Sequence, residues 1–104
     1  MITTTIDTIP GQEIVAHYGI VYGSSVRAKH VGKDIFAAIK NFFGGELSAY
    51  TELLEEARNE ALGRMVKQGE AAGANAIINV RMATSQVAAG AAEVYVYGTA
   101  VVVE

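Results

Sequence analysis

The 104-residue chain contains no cysteine. Disulfide frameworks, thiolate zinc sites and cysteine nucleophiles are therefore excluded. Charge is also scarce: 18% of residues are Asp, Glu, Lys or Arg, against roughly 25% in an ordinary soluble protein. A net charge of -3 argues against a nucleic-acid partner, whose affinity rests on phosphate neutralisation. No run approaches the roughly 18 apolar residues of a membrane helix, so no membrane partner is expected. The opening MITTTIDTIPGQE lacks a basic stretch followed by an apolar one, which gives no secretory signal and leads to the expectation of a cytoplasmic protein. What the chain does have is apolar bulk, 51% of its residues. Such a composition is unlike that of disordered chains, and the length fits one domain spanning residues 1–104 with its core in 13–103.

The charges that exist are unevenly spread. Residues 1–28 hold three, residues 29–73 hold thirteen, and residues 74–104 hold three: Arg81, Glu93 and Glu104. The middle segment must therefore supply most of the wet surface. The two ends read as buried on more than one side.

Residues 13–28, EIVAHYGIVYGSSVRA, read as a long strand rich in β-branched and aromatic residues. Gly19 and Gly23 fall on the same strand face as His17, where they signal a bulge or a close approach by another element. Ile2–Ile6 can add a short extra strand, with Pro10-Gly11 as the turn that follows. Asp34 is placed to cap a short helix over 34–43, with Ile35, Phe36, Ile39 and Phe43 on one face and Gly44-Gly45 as the stop. A second, longer helix starts between Glu46 and Ser48 and ends near Gly73. Its apolar stripe takes in Leu47, Tyr50, Leu53, Leu54, Ala57, Ala61 and Met65. Glu52, Glu56, Asn59, Glu60, Lys67 and Glu70 lie opposite, while Arg58 projects from the stripe. Residues 76–87 and 93–103 read as two further strands, giving one α+β domain of order β-α-α-β-β. In the last strand Tyr95, Tyr97, Thr99, Val101 and Val103 share one face, and the other face is apolar too. A sheet covered on one side alternates apolar with polar. This strand does not alternate, so its second face is expected to meet another protein surface.

Chemical signals are sparse. His17 and His30 are thirteen residues apart, without the spacing of a helical metal site. His17 is the weak candidate metal ligand and reads first as a partly buried structural residue; His30 reads as a loop residue. Gly32-Lys33-Asp34 lacks both the earlier glycine and the hydroxyl of a P-loop. Arg27, Lys29, His30, Lys33 and Lys40 read mainly as solubilising charges, with a small anion site as the alternative. Ser24-Ser25 has no nucleophile-elbow setting, so catalytic residues are not assigned and an enzyme is not expected. Arg58 on an apolar face requires a carboxylate or carbonyl partner. It reads as a structural or intersubunit ion pair before a ligand clamp. Tyr95 and Tyr97 read as core or interface residues.

The run Gly19-Ile-Val-Tyr-Gly23, then Lys33-Asp34-Ile35, Gly44-Gly45-Glu46 and Tyr50-x2-Leu53-x3-Ala57-Arg58-x2-Ala61-Leu62, resembles the YbjQ-type uncharacterised protein family. So do Gly73-Ala-Asn-Ala-Ile and Tyr97-Gly98-Thr99-Ala100-Val101. The resemblance covers about residues 13–103. It implies a dodecin-like βαββ subunit, its antiparallel sheet carrying a short and a long helix on one face, assembled as a homopentameric ring. The family is labelled "putative heavy-metal-binding", which implies a metal ion; the residues themselves ask for no cofactor. It carries over no catalytic residues. In such a ring neighbouring sheets would cover the second face of strand 93–103, and Gly19, Gly23 and Gly98 would let backbones pack closely. The expected partner is thus the chain itself, with a metal ion or small ligand held at subunit interfaces. The competing reading is a scaffold that presents acidic helices to a protein partner. An interface enzyme using Arg58 and a glutamate comes last.

Overall fold

The computed structural model describes residues 1–28, 45–88 and 91–104. In chain order the elements are β1 (Ile2–Thr3), β2 (Ile14–Ala28), α1 (Gly45–Ala72), β3 (Ala76–Ala88) and β4 (Ala91–Val103). The expected helix over 34–43 lies outside the described residues, as do Lys29, His30, Lys33 and Lys40. The strands form one four-stranded sheet in the order β1-β3-β4-β2. β4 runs antiparallel to both β2 and β3, whereas β1 joins β3 in parallel. The α+β expectation holds, but the sheet is mixed. The N-terminal residues do form the extra strand, and they enter alongside β3 in its own direction.

Local sequence explains the boundaries. β2 is dominated by Val, Ile and Tyr, which fit a pleated surface, and its register against β4 shifts between His17 and Gly19. Gly19 has φ 86° there, with open space where a Cβ would stand. The expected bulge is therefore real. β3 carries its own irregularity between Ile78 and Arg81, where Asn79 adopts φ 53°. Asparagine tolerates this left-handed conformation better than most residues. The amides of Asn79 and Val80 consequently both point outward, to the carbonyls of Ile6 and Thr4. α1 stops where glycine was expected to stop it. Gly73 has φ 95°, and the Ala74 and Gly73 amides return to the carbonyls of Gly69 and Glu70, the paired bonds of a Schellman ending.

Two apolar clusters follow. The larger lies between α1 and the sheet and contains Ala57, Ala61, Met65, Val21, Ile77, Val80, Val94, Val96 and Ala100. The smaller lies on the opposite sheet face, where Ile9 packs on Ala76, Ile78, Val101 and Val103. Part of the second face of β4 is thus covered by the chain's own N-terminal segment. Gly23 is what lets the helix in. A Cβ on it would lie 2.6 Å from the Met65 amide nitrogen and 2.9 Å from the Arg64 Cβ, with the Ala61 carbonyl oxygen closer still. Gly98 is also packed within the protomer, against Ile77 and the Ile78 carbonyl. The close approaches at 23 and 98 are therefore internal to one chain, and the helix rather than a neighbouring subunit fills the space over Gly23.

Candidate functional site

Three surface features surround this core, and the first follows from how near α1 lies to β2. The first is polar. Small residues at 57 and 61 let the helix settle close, so side chains on its flank reach over the strand. Glu60 accepts a hydrogen bond from Ser25 Oγ at 2.8 Å, another from the Arg27 guanidinium, and pairs with Arg64 at 3.0 Å. Ser25 is only 1% exposed, so its hydroxyl needs this acceptor. The Ser25 hydrogen bond above all, aided by the charges of Arg27 and Arg64 against some desolvation, holds the Glu60 carboxyl below its usual range. Glu60 was expected among the solvated residues of the helix. It instead faces the strand, a placement that alternation along β2 could have hinted at, since Ser25 and Arg27 fall on the helix-facing side.

A lowered carboxyl pKa has a definite sign in stability. The cluster contributes fully above the unfolded value near 4.5, and this contribution is lost as pH falls through the folded value. Glu60→Gln is expected to flatten the acid side of a melting-temperature profile recorded from pH 7 to below pH 4.5. An acid limb as steep as that of the parent chain would remove Glu60 from the account. The same lowering makes Glu60 a weak base, so Ser25 and Glu60 do not amount to an activated nucleophile.

The second feature is the uncovered half of the sheet face opposite α1. Ile20, Tyr22 and Val26 of β2 are 75%, 62% and 56% exposed, and Met82 of β3 is also largely exposed, on the helix-facing side. Tyr22 lies opposite Tyr97, and Ser24 opposite Tyr95. The Tyr95 and Tyr97 rings are stacked, 6.2 Å apart between centroids. Ile20, Tyr22, Val26, Tyr95 and Tyr97 together make a contiguous apolar, aromatic surface of the kind that marks an interaction site.

The third is a cleft of about 290 Å³ between α1 and β3, lined by Leu54, Arg58, Met82, Ala83, Thr84 and Val94. Arg58 stands at this cleft instead of inside the core: its side chain is half-exposed, and its partner in the chain is Glu55 at 3.7 Å, one turn away. The long stem covers apolar surface while the head stays wet. The charge is therefore not the buried one that its stripe position predicted.

His17 lies exposed on β2 beside the bulge. Among the described residues no three His, Cys, Asp or Glu side chains come together as an ion would require. With no cysteine anywhere in the chain, no thiolate is available to a soft heavy-metal ion. Among the same residues no helix is long and apolar enough to cross a membrane.

Comparison with known proteins bears on this geometry. A family described as "Putative heavy-metal-binding" (YbjQ) matches residues 1–104. A UPF0145 protein of Hahella chejuensis is 66% identical over 104 residues, covering 100% of both chains. One from Archaeoglobus fulgidus is 55% identical over 101 residues, covering 97% of this chain and 94% of its own. Among solved structures, a protein with unknown function of the DUF74 family from Pediococcus pentosaceus aligns with a TM-score of 0.63 at 19% identity. That alignment spans 100% of this chain and 98% of the other, and supports the fold.

Proposed function

We propose a function that starts from the chain's family: it belongs to the YbjQ family, matched from residue 1 to 104, and we read it as a self-assembling ring subunit. The observation that carries this reading is the exposed face of Ile20, Tyr22, Val26, Tyr95 and Tyr97. A second copy covers that face. The area supports it: the protomer exposes 6642 Å², roughly 1,000 Å² more than a monomer of 11.0 kDa is expected to show. A standard interface takes about 800 Å² from each partner. The protomer is also extended, with a radius of gyration of 17.2 Å against about 13 Å for a compact chain of this length.

The finer reading is a dodecin-like, cytoplasmic homopentamer without catalytic activity, the ring size being the one the family resemblance implies. Any metal ion or small ligand sits between copies, because no three donors come together among the described residues of one protomer. The scaffold alternative gains less from the geometry, since Glu60 faces β2 and thins the acidic face that would greet a protein partner. Light scattering of the purified chain decides the matter. A mass several times 11.0 kDa is expected, with native mass spectrometry giving the number of copies. A stable monomer would overturn the proposal.

A further inference from the structure

The two long edges of the sheet are treated differently. On the outer edge of β2, Gln68 accepts from the Tyr22 amide at 2.6 Å, and Arg64 donates to the Ser24 carbonyl. Both strand groups point away from β4, so helix side chains close part of this edge. This is one way proteins stop an edge strand from pairing with strangers.

On the other side, β1 and the residues after it cover β3 only as far as Val80, whose amide donates to the Thr4 carbonyl at 2.9 Å. The next side chain, Arg81, closes the arm by donating to the Thr5 carbonyl at 2.8 Å. Beyond that point the pairing fixes which groups face outward. Tyr22 points away from β4, so its partner Tyr97 turns its amide and carbonyl toward β3. Tyr97 lies opposite Arg81. Arg81, Ala83 and Ser85 therefore bond within the sheet, while Met82 and Thr84 aim their amides and carbonyls at the open edge. Among the described residues nothing pairs with them. Residues 82–88, MATSQVA, contain neither a charge nor a proline, the usual guards of an exposed edge. The Met82 and Thr84 side chains line the cleft beside Leu54 and Arg58. An arriving strand thus meets a backbone ladder, an apolar wall and a guanidinium donor together.

We infer that the edge of β3 from Met82 onward receives a strand of a second copy of this chain. The inference rests on the ring reading and adds a strand edge to the face through which copies join. A second copy is the occupant because the protomer's surplus exposed area matches one partner's share of a standard interface. An unguarded strand edge also supplies a row of hydrogen bonds that another extended chain can take in register.

Amide exchange on the assembled protein, together with Thr84→Pro, tests it. Proline removes the outward amide of Thr84 without touching the bonds to β4, and edge positions tolerate it. In the parent assembly the Met82 and Thr84 amides should exchange at least ~100-fold more slowly than free amides, as their neighbours in the ladder do. Thr84→Pro should keep the circular dichroism of the parent while its mass by light scattering falls. A parent assembly whose Met82 and Thr84 amides exchange freely overturns the inference and leaves the ring reading standing. So does a Thr84→Pro variant that holds the parent's mass. If that variant fails to fold, the exchange rates alone decide. A monomeric parent chain removes both readings.

Discussion

Gly23→Ala is expected to lower the melting midpoint by more than about 10 °C or to leave the chain insoluble. The added methyl carbon would meet backbone: the Met65 amide nitrogen at 2.6 Å and the Ala61 carbonyl oxygen nearer still. Side chains can rotate away from such a clash, but a helix backbone can yield only by lifting as a body. Lifting it separates Ala57, Ala61 and Met65, all fully buried, from β2 and β4. Overpacking of a core costs about 1–3 kcal/mol where side chains can adjust, and here they cannot. At roughly 4–8 °C per kcal/mol for a domain of this size, a double-digit fall follows. Gly63→Ala is the control, since nothing lies within 4 Å of the added carbon and alanine favours a helix interior by about 1 kcal/mol. Melting followed by circular dichroism compares the two. A Gly23→Ala chain that melts within a degree or two of its parent would show that α1 does not depend on this contact.

Ile20→Lys carries the other large effect, and it concerns assembly. In an isolated protomer a side chain 75% exposed can be exchanged for lysine with a change within about 0.5 kcal/mol. In a ring whose copies cover this face, the same change buries an unpaired ammonium among Tyr22, Tyr95 and Tyr97, which is prohibitive. The expected result is a folded chain, with the far-ultraviolet dichroism of its parent, whose mass drops from several times 11.0 kDa to 11.0 kDa. Retention of the parent's mass would show that this face stays outside the interface.

Strand and helix spans were legible because their signals are periodic or punctuated. Gly73 marked the end of α1, and Gly19 marked a bulge, for the stated conformational reason. The apolar second face of β4 leads to the expectation of another protein surface, whereas within the protomer it is Ile9 of the same chain that covers part of it. What stayed hidden depended on distance between elements. Nothing in the spacing of α1 says that it lies so close to β2 that Glu60 reaches Ser25, because that depends on Gly23, which lies at least 22 residues before α1 begins. Arg58 has a carboxylate partner, Glu55, but is half-exposed rather than buried for a related reason. A residue at the margin of a helical stripe is buried only if a strand continues beneath it, and α1 lies over β2 and β4 more than over β3. The parallel entry of β1 was equally out of reach, since two residues carry no directional signal.

The order of synthesis adds a constraint. β2 is made well before its ladder partner β4, the last of the described elements, with Ile14 lying opposite Val103. Until that strand leaves the ribosome, Ile20, Tyr22 and Val26 have neither a sheet to join nor a neighbour to shield them. Such late, long-range closure is slow and leaves strands open to premature association. In the proposed ring, copies can join correctly only after β4 has taken its place beside β2. The caps that Gln68 and Arg64 place on β2 come from a helix that is made before β4. The nascent strand can therefore have its edge quieted before its true partner exists.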